Sequence, residues 1–300
     1  MTSAPQRSQT AGYVFAILTF AIFACQDAIS KHLGALYPPV FIAMVRYWIF
    51  ALFTIAMAAR FGGGLTKAAR ARRPWLQVLR GLVLALQVVC AITAFSTAGL
   101  VQTQAIMAVT PLLVAMLSVP VLGEHVGWRR WLAIAAGFVG VLVILEPGAD
   151  FLESDLVVPV IAALLLGLYA ILTRLAGRED APMTSFLYIG VVGAASLSLI
   201  GPFYWTPMDG EGLFWLAMVC LTSLSSHYCF IRAYEHLDAV LVQPISYMQL
   251  VLATAIGIVL FGETLHLNVA AGSALVVAAG LFTIWRERVS RQKAVIAPKA

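Results

Sequence analysis

An all-α integral membrane fold, with ten transmembrane helices forming two inverted five-helix repeats around a central cavity, is what this sequence predicts. Three observations carry that expectation. Of its 300 residues 61% are apolar and only 11% are charged, more oil than a soluble core of this size buries. The apolar residues fall into ten runs of roughly 20 residues, the length that crosses ~30 Å of hydrocarbon at 1.5 Å per residue. The second half of the chain also repeats the first. Phe95, Val101, Gln104 and Gly123-Glu124 return 139 positions later as Tyr234, Val240, Gln243 and Gly262-Glu263. Ser30-Lys31, Gly34 and Pro39 return 143 positions later as Thr173-Arg174, Gly177 and Pro182. The polar loop from Phe61 to Pro74 absorbs the difference. The repeats are placed at 1–148 and 149–300, the second carrying the tail. Helices are expected as the spanning form because they satisfy their own backbone hydrogen bonds where no water is available. The alternating ten-residue strands of a membrane barrel are not seen.

The first run, 12–33, follows Arg7 and has the look of a cleaved leader ending near Ala24-Cys25. It continues past Cys25 into Gln26, Asp27 and Lys31, and nine further runs follow, so an uncleaved first helix is expected. The second run, 38–60, opens beside Pro39 and places Arg46 at the depth of Asp27. The third, 75–97, has Arg80 near one end, where its stem can reach interfacial water. The fourth, 99–121, holds Gln104 and a mid-helix Pro111 and stops at Leu122-Gly123-Glu124. The fifth, 128–146, and the seventh, 183–203, carry Gly137, Gly140, Gly190 and Gly193, small residues that let helices approach closely. Gly272 and Gly280 do the same in the tenth, 266–286. The sixth, 156–176, contributes Tyr169, and the eighth, 212–233, aligns Ser223 and His227 on one face toward Tyr234. The ninth, 238–261, contains Pro244 and a polar arc of Gln243, Ser246 and Tyr247, with Gln249 beyond it. Each proline frees a backbone carbonyl, which serves either as a static kink or as a hinge.

The net charge of +5 is not spread as a nucleic-acid surface. Arg60, Lys67, Arg70, Arg72, Arg73, Arg129, Arg130, Arg174, Arg178 and the tail cations Arg286, Arg288, Arg291, Lys293 and Lys299 all fall on one side when ten spans alternate. The opposite loops hold Glu146, Asp150, Glu153, Asp155, Asp209 and Glu211. This positive-inside bias places both termini in the cytoplasm. Five spans per repeat is an odd number, so the second copy enters the bilayer from the other side. Inverted repeats of this kind expose a midplane site alternately to the two faces, which is the architecture of a secondary transporter.

Chemistry inside the spans is sparse, which makes each charge informative. Asp27 is expected to pair with Arg46 or Lys31, either as a fold anchor or as a gate or proton site. Glu124 and Glu263 are expected to cap the helices that follow them. Gln26, Gln87, Gln104, Tyr169, Ser223, His227, Gln243, Ser246 and Tyr247 are the candidate substrate ligands, with interhelical hydrogen bonding as the competing role. Amides, hydroxyls and rings with little net charge suit a small zwitterion or neutral metabolite better than a phosphate. Cys25, Cys90, Cys220 and Cys229 lie within spans without a Cys-x-x-Cys, so neither disulfide nor zinc is indicated. There is no His-Glu-x-x-His and no Gly-x-Ser-x-Gly. Gly62-Gly63-Gly64 before Lys67 lacks phosphate-loop spacing, and Ser290 and Lys293 lie in the polar tail. No enzyme, cofactor or metal is expected.

Asp27-Ala28-Ile29-Ser30-Lys31, Pro39, Arg46 and the paired Leu122-Gly123-Glu124 and Phe261-Gly262-Glu263 resemble the EamA-type drug/metabolite transporter superfamily from about Tyr13 to Arg286. The resemblance implies a cavity lined by spans one, three, four, six, eight and nine. It further implies a secondary transporter in the bacterial inner membrane, exporting aromatic or other neutral amino acids as the aromatic amino acid exporters do. A transporter of a larger metabolite such as S-adenosylmethionine or a nucleoside, and a non-transporting receptor or scaffold, are the alternatives. The expected partners are a small-molecule substrate and the lipid bilayer, with no nucleic acid and with a monomer sufficient.

Overall fold

The computed structural model describes residues 9–61, 63–124, 126–148, 154–237 and 239–296. Arg7, Gly62, Asp150, Glu153 and Lys299 lie outside the described residues, as do the side chains of Val240, Arg288, Ser290, Arg291 and Lys293. Twelve α-helices follow one another: α1 Gln9–Leu36, α2 Pro39–Phe61, α3 Leu65–Ala68, α4 Pro74–Thr97, α5 Leu100–Met107, α6 Thr110–Leu122, α7 Trp128–Leu145, α8 Val157–Ala176, α9 Pro182–Ile200, α10 Gly210–His236, α11 Ala239–Phe261 and α12 Leu267–Ile296. Ten spans result among the described residues, the fourth being α5 and α6 together. Only α3, a single turn inside the 61–74 loop, was not expected from the sequence.

The outward surface carries large apolar side chains, among them Leu52, Val259 and Phe203 at 65%, 78% and 87% exposure. A soluble protein does not expose such a belt, and hydrocarbon is the medium that suits it. The inward surface is close-packed, with Leu112, Ile42 and Leu33 fully buried.

The two repeats pack as an inverted pair. α1 lies along α10 as α8 lies along α4, α2 meets α9, and α7 meets α12. Each contact thus has its mate under exchange of the halves. Local geometry repeats as well. α6 and α11 both end at a left-handed glycine, Gly123 at φ 69° and Gly262 at φ 63°. The amides of the next residues, Glu124 and Glu263, reach back six positions to the carbonyls of Ser118 and Gly257. A left-handed glycine at the helix end is the αL type of C-cap, a position that excludes most other residues. The Gly-Glu pairs are therefore backbone turns first.

Pro111 is not in mid-helix. α5 stops at Met107, and Pro111 sits in the first turn of α6, where its missing amide costs nothing. The interior prolines are Pro120 in α6 and Pro244 in α11.

The α7–α12 contact shows why small residues are needed. A Cβ on Gly272 would stand 2.5 Å from the carbonyl oxygen of Gly140, and one on Gly140 would stand 2.9 Å from that of Gly272. The backbones touch, which supplies the dispersion contact that holds helices together in lipid. Gly272→Leu should therefore destabilise the protein by about 1–3 kcal/mol through overpacking. Thermal unfolding in detergent measures the loss, and Gly127→Ala, where a Cβ meets open space, is the control.

Candidate functional site

A cavity of about 590 Å³ lies between the repeats. Its walls come from α1, α2, α4, α5, α8, α9, α10 and α11. It includes spans two and seven, beyond the six the family resemblance implied. The cavity runs to Gly177, Asp180 and Pro182 in the α8–α9 loop, at the cationic face of the protein.

Asp27 is the cavity's organising acid. It is 8% exposed, and its Oδ2 accepts from Gln104 Nε2 at 2.5 Å and Gln249 Nε2 at 2.7 Å. Because a carboxylate only accepts, both amides must turn their NH₂ groups toward it. α1, α5 and α11 are thus tied together across the repeat boundary. Arg46 lines the same cavity, and its Nε donates to Ser223 Oγ at 3.1 Å. The expected contact ion pair between Asp27 and Arg46 is not formed. Asp27 Oδ2 takes two amides instead, while the Arg46 Nε turns to Ser223.

Lys31 does not serve Asp27 either. It forms an ion pair with Glu263 and lies over the Phe261 ring, 4.7 Å from the centroid. Glu263 also accepts from the amides of Leu100 and Val101, each at 2.7 Å. It therefore caps α5 of the opposite repeat and not the helix that follows it. The reason is geometric: the left-handed turn at Gly262 throws the carboxylate back over the start of α5. Glu124 receives Arg174 Nη2 at 2.7 Å. Since Lys31 and Arg174 are repeat equivalents, and Glu124 and Glu263 are too, these are one ion pair built twice. They stand at opposite faces of the membrane. The side chains of Lys31 and Glu263 are 15% exposed, those of Arg174 and Glu124 34% and 33%.

Arg80 does not extend to interfacial water. It is 1% exposed and donates to Gln77 Oε1 at 2.7 Å, to Thr173 Oγ1 at 3.2 Å and to the Ser185 carbonyl. Gln77 in turn donates to Asp180 at 2.8 Å, and Asp180 accepts the Arg72 amide at 2.7 Å. A closed polar chain of this kind satisfies a buried charge that the snorkelling argument placed in water. Arg80 also stacks near Tyr169, 5.8 Å from the ring centroid.

Of the sequence candidates, Gln26, Gln87, Gln104, Tyr169, Ser223 and His227 line the cavity together with Asp27 and Arg46. Gln26 brings a buried Oε1 with no hydrogen-bond partner among the described residues. Such an acceptor is costly unless something supplies a donor. Gln243, Ser246 and Tyr247 do not reach the cavity. Gln243 is exposed, Ser246 donates to its carbonyl at 2.7 Å, and the Tyr247 hydroxyl packs against Gly280. The arc they share faces α12 and the outer surface, while the face of α11 that packs on α1 turns Gln249 inward. The shared polarity of the arc was real; its direction could not be read from spacing.

Sequence reasoning also passed over an aromatic wall. Phe23, Phe50, Phe186 and Phe230 line the cavity with His227, whose ring centroid lies 4.8 Å from that of Phe50 and 5.7 Å from that of Phe23. His227 Nδ1 lies 2.8 Å from the Ser223 carbonyl, so it carries the hydrogen and Nε2 is the acceptor. Phenylalanines in an apolar span give no signal of their own. Their convergence comes only from packing four helices. The cavity thus joins an acid, guanidinium groups, amides and a ring-lined face.

Comparison with known proteins is consistent along the whole chain. The sequence profile of the EamA-like transporter family matches residues 10–146 and again 155–285. An S-adenosylmethionine uptake transporter of Rickettsia bellii is 24% identical over 96% of this chain and 98% of its own. A riboflavin transporter of Rhizobium johnstonii is 28% identical over 94% and 93%, and a pseudopaline exporter of Pseudomonas aeruginosa 24% identical over 89% and 94%. A protein of known crystal structure, 18% identical, superposes with a TM-score of 0.62 over 93% of this chain and 98% of its own, which shows the shared fold.

Burial alone would raise the Glu263 carboxyl, but the bonds from Lys31 and from the Leu100 and Val101 amides outweigh it and hold the group below its usual value of 4.5. A depressed acid contributes its interaction above its unfolded value and loses it as pH falls through the folded one. The closure at this end should therefore hold at neutral and mildly acidic pH and loosen only below the ordinary glutamate range. In a background freed of the four native cysteines, the labelling rate of Phe95→Cys from that face, divided by that of an exposed reference cysteine at each pH to cancel the loss of thiolate, should be low at pH 5–8 and rise in stronger acid. Glu263→Gln should react fast throughout.

Proposed function

The chain is a member of the EamA-like transporter family, and on that footing we propose that it carries a metabolite larger than an amino acid, with charged ends and an aromatic ring system, through the Asp27–Arg46 cavity. It is a multi-pass membrane transporter; its substrate class is the inference. The observation that carries it is the cavity itself. At about 590 Å³, lined by Asp27 and Arg46 and by phenylalanines of α1, α2, α9 and α10, it has the volume of a drug-sized site. The named substrates of two relatives, S-adenosylmethionine and riboflavin, both carry an aromatic ring system and exceed an amino acid in size, and S-adenosylmethionine adds charged groups. Export of aromatic amino acids is the second reading, favoured by the juxtaposition of a carboxylate, a guanidinium and ring faces. The relatives found are not named as exporters of this kind.

The membrane is the bacterial inner membrane, with the cationic face and both termini cytoplasmic by the positive-inside bias, and the division between functional halves falls at 148/149. The cavity then opens toward the cytoplasm, past Asp180 and Pro182. Its other end is covered by Lys31, Glu263 and the start of α5. Both equivalent ion pairs are formed in this structure, and the rocking movement that opens the far end of the cavity breaks Lys31–Glu263. Asp27 is the coupling group, releasing the amides of Gln104 and Gln249 when it takes a proton or a cationic substrate.

Reconstitution tests both parts. Purified protein in liposomes should show flux of labelled S-adenosylmethionine or riboflavin above protein-free vesicles, exceeding that of phenylalanine or tryptophan. The reverse order establishes the second reading, and flux of none of the four overturns both. Asp27→Asn should cut initial rates more than about tenfold and flatten their pH dependence, since a lost charge-assisted contact is worth ~1.5–3 kcal/mol. Unchanged rates and an unchanged pH profile remove Asp27 from the mechanism.

A further inference from the structure

The cationic end of the α7–α12 pair carries a second concave site, remote from the central cavity. Arg129, Arg130 and Arg286 line a pocket of about 160 Å³ at the start of α7. An apolar groove of about 420 Å³ adjoins it, running between α7 and α12. Trp128 and Arg129 line both, so the two are one continuous depression, cationic at its mouth and apolar along its length.

The sequence builds this shape. At Gly140 and Gly272 the two helices touch backbone to backbone, and nearer their cationic ends Gly137 still faces Ala279. Ala133 and Ala136 give the groove its floor, because a methyl group leaves the space that a leucine would fill. Leu275 and Phe282, seven residues apart on α12, form the wall. At the mouth the guanidinium groups are positioned by tryptophans. Arg129 lies 5.3 Å from the Trp128 ring centroid and Arg286 5.9 Å from that of Trp285. Tryptophan is the residue that settles at the headgroup level of a bilayer.

We infer that this depression binds an anionic phospholipid, its phosphate held by Arg129 and Arg286 and one acyl chain along the α7–α12 groove. Charge complementarity selects the headgroup: guanidinium groups from both helices line the mouth, and guanidinium groups take phosphate oxygens bidentately. The groove selects a lipid over a soluble phosphate, since an apolar channel entered from a cationic mouth fits a molecule with both characters. α7 and α12 take no part in lining the transport cavity, so the bound lipid braces the fixed edge of the repeat pair.

Delipidated full-length protein, titrated with dioleoyl phosphatidylglycerol or with phosphatidylcholine of the same chains and read by native mass spectrometry, tests the inference without any transport assay. Phosphatidylglycerol should be retained at least about fivefold better, the effect of ~1 kcal/mol per basic group near an anionic headgroup. Arg129→Gln with Arg286→Gln should bring the ratio to near one, while Lys67→Gln with Arg70→Gln in the 61–74 loop should leave it unchanged. Ala136→Phe, which fills the groove, should weaken both lipids. If the double arginine variant does not fold, as judged by its thermal transition, Arg129→Gln alone gives the same readout at a site exposed to solvent. Equal retention of the two lipids by the unmodified protein, equal loss of preference in the loop variant, or full displacement of lipid by glycerol 3-phosphate each overturns the proposal.

Discussion

Charges withdrawn from water must be matched inside the protein, and in this chain the matching runs between the repeats. Lys31 of the first repeat is neutralised by Glu263 of the second, and Arg174 of the second by Glu124 of the first. Each half therefore completes its ion pairs with a residue of the other. The left-handed turns at Gly123 and Gly262 are what aim the glutamates across the boundary. Backbone geometry, ion pairing and the position of the cavity therefore follow from the same duplicated segment.

The duplication also explains why the cavity is asymmetric in chemistry although its frame is symmetric. The ends of the repeats retained the same turn and the same ion pair, whereas the middle diverged. Gln104 reaches Asp27, while its repeat equivalent Gln243 faces outward. Asp27 receives Gln249 instead, one and a half turns further along α11. A frame that closes at either end by equivalent contacts, around a lining free to vary, is consistent with family members that differ in their named substrates.

Rigid and adjustable parts are separated in space. α7 and α12 are locked backbone to backbone at Gly140 and Gly272, at a distance from the lining. The helices around the cavity meet through longer side chains and through hydrogen bonds that can be exchanged, such as those converging on Asp27. A break in the regular helix also falls there, between α5 and α6. Irregular backbone at membrane depth is tolerated where protein or a cavity can satisfy it.

The ten spans, the inverted duplication and the identity of most polar cavity residues were legible in the amino-acid order. Span length, charge asymmetry and the parity of a five-helix repeat are one-dimensional properties, and bilayer thickness converts them directly into architecture. Side-chain direction is not one-dimensional. Whether Tyr247 or Gln249 faces the cavity depends on how α11 is rotated against α1 and α12, and whether Arg80 meets water or Gln77 and Ser185 depends on what α8 and α9 bring to it. The partner of Lys31 lies 232 residues away, so local spacing pointed to Asp27. Those choices belong to packing, because in lipid a polar group goes to whichever partner the assembled helices place within reach, and sequence distance has no part in it.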